Sequence, residues 1–374
     1  MRKCKFVSQT IVVMKRYSNS CFGVLAMALG AIVTLNACSG DSLPRGSAEE
    51  FARFEAAGNK VFEDTWNEPC NELHSLMIVK GGRVVYENYA PSHSPDELHI
   101  MWSVSKTFTA TAVGFAVQDG LLSLSDKVVD YFPEELPTEP HEWLQEITLH
   151  DLLIMSSGLR YDYIGRASSG QHFDWAKQTL AAPLDFRPGT MYHHYNSMNT
   201  YLLSVVVSKV TGKKLADYLD EKLFTPLGIE EFIWNESPQG YNTGGWGLHI
   251  STESLAKMGQ FMLQRGVWNG KQLLYQEWFD EAMSPQIMQY EGRITDPIEL
   301  EKFKETMVRD QWHQGYGYQM WCCTDGAYRL DGAWSQYCII FPEHDAVVAA
   351  TSHAGNGATI LNSIWTNILP LIND

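Results

Sequence analysis

A serine and a lysine three positions apart, in Met101-Trp102-Ser103-Val104-Ser105-Lys106, are the residues best placed to do chemistry. Positions i and i+3 of a helix share a face, so Ser103 and Lys106 would touch. A serine hydroxyl is a weak nucleophile until a neighbouring base takes its proton. Lysine is such a base only when neutral, which requires desolvation or another cation nearby. A serine at a helix N-terminus also sits where backbone N–H groups meet developing negative charge. The apolar lead-in and the small, Thr-rich stretch that follows predict a helix from about Ser103 to Asp119, ended by Gly120. A second copy of the spacing, Ser254-Leu255-Ala256-Lys257, lies in an amphipathic run with Leu255, Met258 and Phe261 spaced for a core, and reads as structural.

A second motif, Tyr195-Asn196-Ser197, follows Pro188-Gly189-Thr190 and precedes an apolar helix. A tyrosine beside a lysine can lose its proton more easily and relay it between nucleophile and leaving group. Tyr86-Glu87-Asn88 and Tyr17-Ser18-Asn19 spell similar triplets, mid-hairpin and near the N-terminus, and carry no such role. A third motif, Leu330-Asp331-Gly332-Ala333-Trp334-Ser335-Gln336, falls between two strand-like runs. Gly332 lets the backbone approach a substrate, and the next N–H, of Ala333, can complete an oxyanion hole with that of Ser103. Trp102, Trp246 and Trp334 flank the motifs and would either wall an apolar cleft or fill the core. Tyr161 and Tyr163 would lie on a loop over the cleft. Ser197, Gly332 and Gln336 complete the candidate substrate-facing set. His353, after a strand, reads as a surface or loop histidine.

The elements that must position these groups are legible in outline. Phe51–Trp66 has helical spacing. Leu73–Lys80 and Arg83–Tyr89 are β-rich runs around Gly81-Gly82, a hairpin pattern. Residues from about 130 to 240 carry helical periodicities between Pro/Gly loops, with Tyr201–Val210 as one apolar stretch closed by Thr211-Gly212. Strand-like runs return at Tyr316–Cys322, Tyr328–Leu330, Tyr337–Phe341 and Ala346–Thr351, and a last helix spans about Ala358–Leu369. Strands at both ends around a helical middle predict an α+β fold, an antiparallel sheet flanked by N- and C-terminal helices and interrupted by a mostly helical subdomain. No internal repeat is found.

Residues 1–37 read as a secretory signal: a basic start, an apolar run from Cys21 to Leu35, and a small residue before the cut. Leu35-Asn36-Ala37-Cys38 resembles a bacterial lipobox, which would put a lipid on Cys38 and anchor an exported protein to a membrane. Met14 offers an alternative start. Residues 38–50, rich in Ser, Gly and acids, read as a tether, and the Gly40-Asp41-Ser42-Leu43 within it as part of that spacer. The domain would then span 51–374. With 28 basic and 44 acidic residues the formal charge is −16. The leader holds five of the basic residues and no acid, so the remainder carries −21. Such a body repels phosphate backbones, which excludes nucleic acid as a partner. Four cysteines in the body (Cys70, Cys322, Cys323, Cys338) are too few for a disulfide framework. No Cys/His spacing matches a zinc site and no HExxH occurs, so no metal is expected.

The three motifs, in this order, resemble the serine hydrolases of the class C β-lactamase and penicillin-binding-protein superfamily. The resemblance covers about residues 55–370. It extends to Gly120-Leu121-Leu122-Ser123-Leu124-Ser125-Asp126, to Thr148…Leu152-Leu153…Met155-Ser156-Ser157-Gly158, to Phe224-Thr225-Pro226-Leu227-Gly228-Ile229, and to the run from Gly244 through Asn269-Gly270-Lys271. It implies Ser103 as the acylated nucleophile, Lys106 as its partner, Tyr195 as proton relay, and the N–H groups of Ser103 and Ala333 as oxyanion hole, with no cofactor. Three departures are visible. Ser197 replaces the usual Asn of the tyrosine motif. One extra residue before Tyr195 lets His194 compete for the aligned position. The Lys/His-Thr/Ser-Gly triad that would grip a carboxylate is absent. The pattern is closer to the branch holding esterases, amidases and 6-aminohexanoate-oligomer hydrolases. The expectation is therefore an exported serine hydrolase of a small ester, amide or peptide, with a penicillin-binding D-alanyl peptidase or β-lactamase, or a non-catalytic binding lipoprotein, as alternatives.

Overall fold

The computed structural model describes residues 42–190, 193–290, 293–307 and 310–373. The signal segment, Tyr17-Ser18-Asn19 and Cys38 lie outside the described residues.

Strands β1 (Glu72–Lys80) and β2 (Arg83–Tyr89) form a hairpin. Gly81 and Gly82 turn it with φ of 57° and 71°, the left-handed pair that a two-residue hairpin loop demands. β3 (His99–Ile100), β4 (Ile233–Trp234) and β5 (Leu248–Ile250) make a small sheet in the order β3-β5-β4. β6 (Val267–Trp268) and β7 (Lys271–Gln272) pair with each other. The chain then returns through β8 (Trp321–Cys322), β9 (Tyr328–Gly332), β10 (Gln336–Phe341) and β11 (Ala346–His353). The main sheet has the order β2-β1-β11-β10-β9-β8 and is antiparallel throughout. The first and last long strands thus meet at its centre, with Leu76 opposite Ala350 and Ile78 opposite Val348.

Side chains alternate across a strand, so each strand feeds two cores. Leu76, Ile78, Ile339, Phe341 and Val348 pack with Phe54, Val61 and Phe62 of the N-terminal helix (Ala48–Trp66) and with Ile360, Ile364 and Ile368 near the C-terminus. Met77, Val79, Cys338, Ile340 and Val347 face the opposite core, with Leu255, Met258 and Phe261 of the helix Thr252–Leu263. Each such burial is worth about 1.5–3 kcal/mol. A one-residue slip of β1 would exchange its two faces, so the register is held by both cores at once. The α+β architecture expected from the sequence is the one observed.

Between the sheet's two halves lie helices including Leu149–Leu153, Trp175–Leu180, Ser197–Thr211 and Leu215–Leu219. The helix Ser197–Thr211 is buried from Ser197 to Ser208 and packs on the helix Ser105–Gln118. Two expectations need correction. Tyr316–Cys322 is a strand only at Trp321–Cys322, because Tyr318 N–H bonds Ala282 O and Gln319, at φ 61°, bonds Leu153 O. The tether read over 38–50 is docked from Leu43 onward. Leu43 is buried, Arg45 bridges Glu87 and Glu253, Pro44 and Gly46 bond Val84, and the first helix starts at Ala48 behind a Ser47–Glu50 capping box. The four body cysteines are free thiols, with Cys322, Cys323 and Cys338 buried and Cys70 exposed.

Candidate active site

β3 leads into Ser103, the candidate nucleophile. Met101 N–H bonds Leu248 O at 2.7 Å, tying the end of β3 to β5. Trp102 then turns the chain at φ 46°, a left-handed backbone that a bulky residue rarely adopts. Ser103 follows inside a 3₁₀ turn (Trp102–Val104) that runs straight into the helix Ser105–Gln118. It therefore sits at a helix N-terminus and is partly exposed.

Lys106 is buried at 1% exposure. Its Nζ lies 2.9 Å from Ser103 Oγ, 3.3 Å from Ser197 Oγ and 2.8 Å from Gly245 O. Burial pushes its pKa down to about 7, against the opposing pull of the Asp162 and Asp331 carboxylates. These contacts orient the amine. A neutral amine has two N–H donors and one lone pair. Gly245 O can only accept, so it takes one N–H. Ser197 Oγ takes the other, and the lone pair faces the Ser103 hydroxyl. A Cβ at Gly245 would lie 2.8 Å from Ser197 O, so only glycine lets this carbonyl reach the lysine.

Tyr195 enters just before Asn196, the N-cap of the helix Ser197–Thr211. Asn196 Oδ1 accepts from Met198 N–H at 2.9 Å, while its Nδ2 donates to Leu159 O and Tyr161 O at 3.0 and 3.1 Å, pinning the loop before the helix. The Tyr195 ring centre is 4.9 Å from Lys106 Nζ, and its hydroxyl hydrogen-bonds Ser103. It is held between Trp321, stacked at 5.9 Å, and Tyr316. Burial pushes its pKa well above the usual 10, which favours the neutral phenol over the phenolate. The neighbouring His194 instead bonds Met155 O through its N–H and faces Phe186, so Tyr195 is the residue that meets Ser103 and Lys106.

The third motif is a tight turn joining β9 to β10. Trp334 and Ser335 have φ of 61° and 66°. A Cβ at Gly332 would stand 2.3 Å from Met101 O, so the β9 backbone presses directly on the chain that leads to Ser103. This brings Ala333 beside the Trp102–Val104 turn. Gln336 is buried, and its amide donates to Ser352 O, Trp334 O and Ala333 O and accepts from Ser352 N–H. It braces the turn and does not face a cleft, contrary to expectation. Trp246 likewise is buried, stacked on Trp175 at 5.5 Å, and belongs to the core. Trp102 is half-buried, Trp334 is 45% exposed and stacks on His353 at 4.3 Å, Tyr161 is exposed, and Tyr163 packs near it at 5.8 Å.

Three contributors were not anticipated. Gly245 supplies a backbone acceptor, and backbone atoms have no sequence signature beyond the glycine that exposes them. Asp162 accepts from Ser197 N–H at 2.8 Å and biases Lys106. Arg329 and Asp331 form a buried ion pair at 2.7 Å beneath the site, with the guanidinium over Trp312 at 4.3 Å. Their i, i+2 spacing on a strand was the available signal.

A buried amine aimed at a serine hydroxyl, a neutral tyrosine on the same oxygen and a backbone turn alongside can activate a nucleophile, hold an oxyanion and return a proton. Comparison with known proteins agrees with this geometry. The Beta-lactamase family model matches residues 74–371. A 6-aminohexanoate-dimer hydrolase of Paenarthrobacter ureafaciens is 25% identical over 327 residues, spanning 83% of this chain and 80% of its own. Two solved structures share the fold. One is a hydrolase with promiscuous acyltransferase activity (TM-score 0.67, 16% identity, 85% of this chain and 100% of that one). The other is an octameric penicillin-binding protein homologue from Pyrococcus abyssi (TM-score 0.62, 20% identity, 87% and 78%). The chain is thus a beta-lactamase-fold hydrolase and belongs to the Beta-lactamase family.

Proposed function

We propose that this protein cleaves an ester or amide bond through an acyl-enzyme on Ser103. The observation that carries the reading is the buried Lys106, 2.9 Å from Ser103 Oγ with its remaining contacts arranged to leave the lone pair on that oxygen. Ser103 Oγ attacks the carbonyl carbon as its proton passes to Lys106 Nζ. The N–H groups of Ser103 and Ala333 take the oxyanion. As the C–O or C–N bond breaks, the leaving atom takes the Tyr195 proton, and the Lys106 ammonium restores it. Water then attacks the acyl-enzyme, gives its proton to the same base, and releases the acid and Ser103.

The third motif itself carries no lysine or histidine to grip a carboxylate, and Arg329, two residues before Asp331, is already paired with it. A β-lactam or cell-wall peptide carboxylate would find no cation in that motif to hold it, which favours esters and amides without a carboxylate there over the D-alanyl peptidase and β-lactamase readings. Similarity to a 6-aminohexanoate-dimer hydrolase supports amide cleavage. Tyr161, Tyr163, Trp102 and Trp334 are the aromatic groups offered to such a substrate. We further propose an exported lipoprotein held to a membrane through Cys38, on the strength of the basic start, apolar run and lipobox-like end. Hydrolysis of p-nitrophenyl esters and of short linear amides by wild type and Ser103→Ala tests the activity. Loss of turnover with retained fold in the variant is expected. Turnover that survives in Ser103→Ala would refute the nucleophile.

A further inference from the structure

Away from Ser103 Oγ, three histidines from two strands and a loop converge. His74 is on β1, His93 is in the loop after β2, and His99 is on β3. One ring nitrogen of each lies within 4.8 Å of the other two. His74 Nδ1 and His99 Nε2 are buried and have no hydrogen-bond partner among the described residues. Two unpartnered buried nitrogens are costly, at about 1–3 kcal/mol each, and ask for a ligand. His93 is already oriented to complete the set. Its Nδ1 lies 2.7 Å from Glu97 Oε2, which leaves Nε2 free, and Glu72 Oε1 lies 3.7 Å from that Nε2. A ligating histidine almost always donates its second N–H to a carboxylate or carbonyl in this way.

We propose that His74, His93 and His99 bind a zinc ion, with Glu72 in reach of the fourth position and Glu97 orienting His93. Three imidazoles and a carboxylate are a zinc-type donor set. Tetrahedral zinc would draw the nitrogens to about 3.3 Å apart, a contraction of no more than about 1.5 Å from the present spread. The ion would pin β3, and the loop before it, to β1 of the main sheet. Because His99 stands four residues before Ser103, the site is a clamp on the segment that delivers the nucleophile. The spacing of 74, 93 and 99 matches no linear zinc motif, so the sequence-based expectation of no metal could not detect it.

The test uses the full untagged chain, stripped with a chelator and dialysed. Calorimetric titration with zinc chloride should give one ion per chain, and zinc should raise the melting temperature. Cobalt(II) should give intense visible bands of a four-coordinate site, and X-ray absorption on the zinc form should count three imidazoles. His93→Ala, at a largely enclosed loop position, should weaken zinc by roughly 100-fold or more, with Glu97→Gln losing about 10–100-fold. Circular dichroism verifies the fold of each variant, and the wild-type spectra stand on their own if a variant fails to fold. No zinc uptake by the wild type, a zinc environment without histidines, or equal affinity in wild type and folded His93→Ala overturns the proposal.

Discussion

Varying the pH across neutrality perturbs the group on which the mechanism turns. Lys106 is lowered from the usual 10.5 to about 7 by burial. That bias against the ammonium amounts to about 5 kcal/mol. At pH 6 about a tenth of the lysine is neutral, and at pH 8 about nine-tenths, so acylation by a p-nitrophenyl ester should rise about tenfold between them and then level off. An unperturbed lysine would instead give a rise of about a hundredfold over the same interval, with no plateau below pH 10. Asp162 opposes the shift, so Asp162→Asn should move the midpoint to lower pH. The assay is stopped-flow release of nitrophenol at an isosbestic wavelength under single-turnover conditions. A rate that climbs without levelling through pH 9, or a midpoint moved upward by Asp162→Asn, would refute the neutral-lysine reasoning.

Three further outcomes follow from the same contacts. The unfolded chain holds the Lys106 proton up to about 10.5 while the folded site releases it near 7, so folding is penalised most below pH 7 and the penalty fades as pH rises. Lys106→Met should therefore be inactive yet more stable than wild type at pH 6, by about 1–4 kcal/mol in chemical denaturation, with the gain shrinking toward pH 10; equal or lower stability would contradict the account. Tyr195→Phe removes the proton donor to the leaving group, and amide turnover should fall by about 10²–10⁴. Nitrophenyl ester acylation, whose leaving group needs no proton, should fall far less, and an equal loss on both substrates would deny Tyr195 that role. Gly332→Val puts a side chain where Cβ alone would stand 2.3 Å from Met101 O. A loss of about 1–3 kcal/mol with greatly reduced activity is expected in thermal melts and turnover, and a wild-type profile would argue against that close approach.

How much of this was legible depended on the range of the interaction. The hairpin of β1 and β2 was readable because Gly81-Gly82 and the flanking β-rich runs are local signals. Ser103 and Lys106 were readable because helical periodicity alone brings i and i+3 together. Tyr195 needed the family resemblance, since it lies 89 positions beyond Lys106 in the chain. Gln336 was misplaced, and Trp246 left open between cleft and core, because a position beside a motif does not reveal which way the side chain points; Gln336 braces the third-motif turn and Trp246 packs in the core. Tyr316–Cys322 has strand composition, but its backbone groups find partners at Ala282, Ile287 and Leu153, which only the tertiary structure supplies. The histidine cluster is the extreme case, assembled across two strands and a loop with no local periodicity at all.

The most direct test of the central claim is intact-protein mass spectrometry after incubation with a fluorophosphonate, run on wild type, Ser103→Ala and Lys106→Met. One covalent adduct on wild type, mapped to Ser103 and absent or strongly slowed in both variants, is the predicted result. An unlabelled but well-folded wild type, or a label that persists in Ser103→Ala, would contradict an activated Ser103 and leave the fold serving a binding role instead.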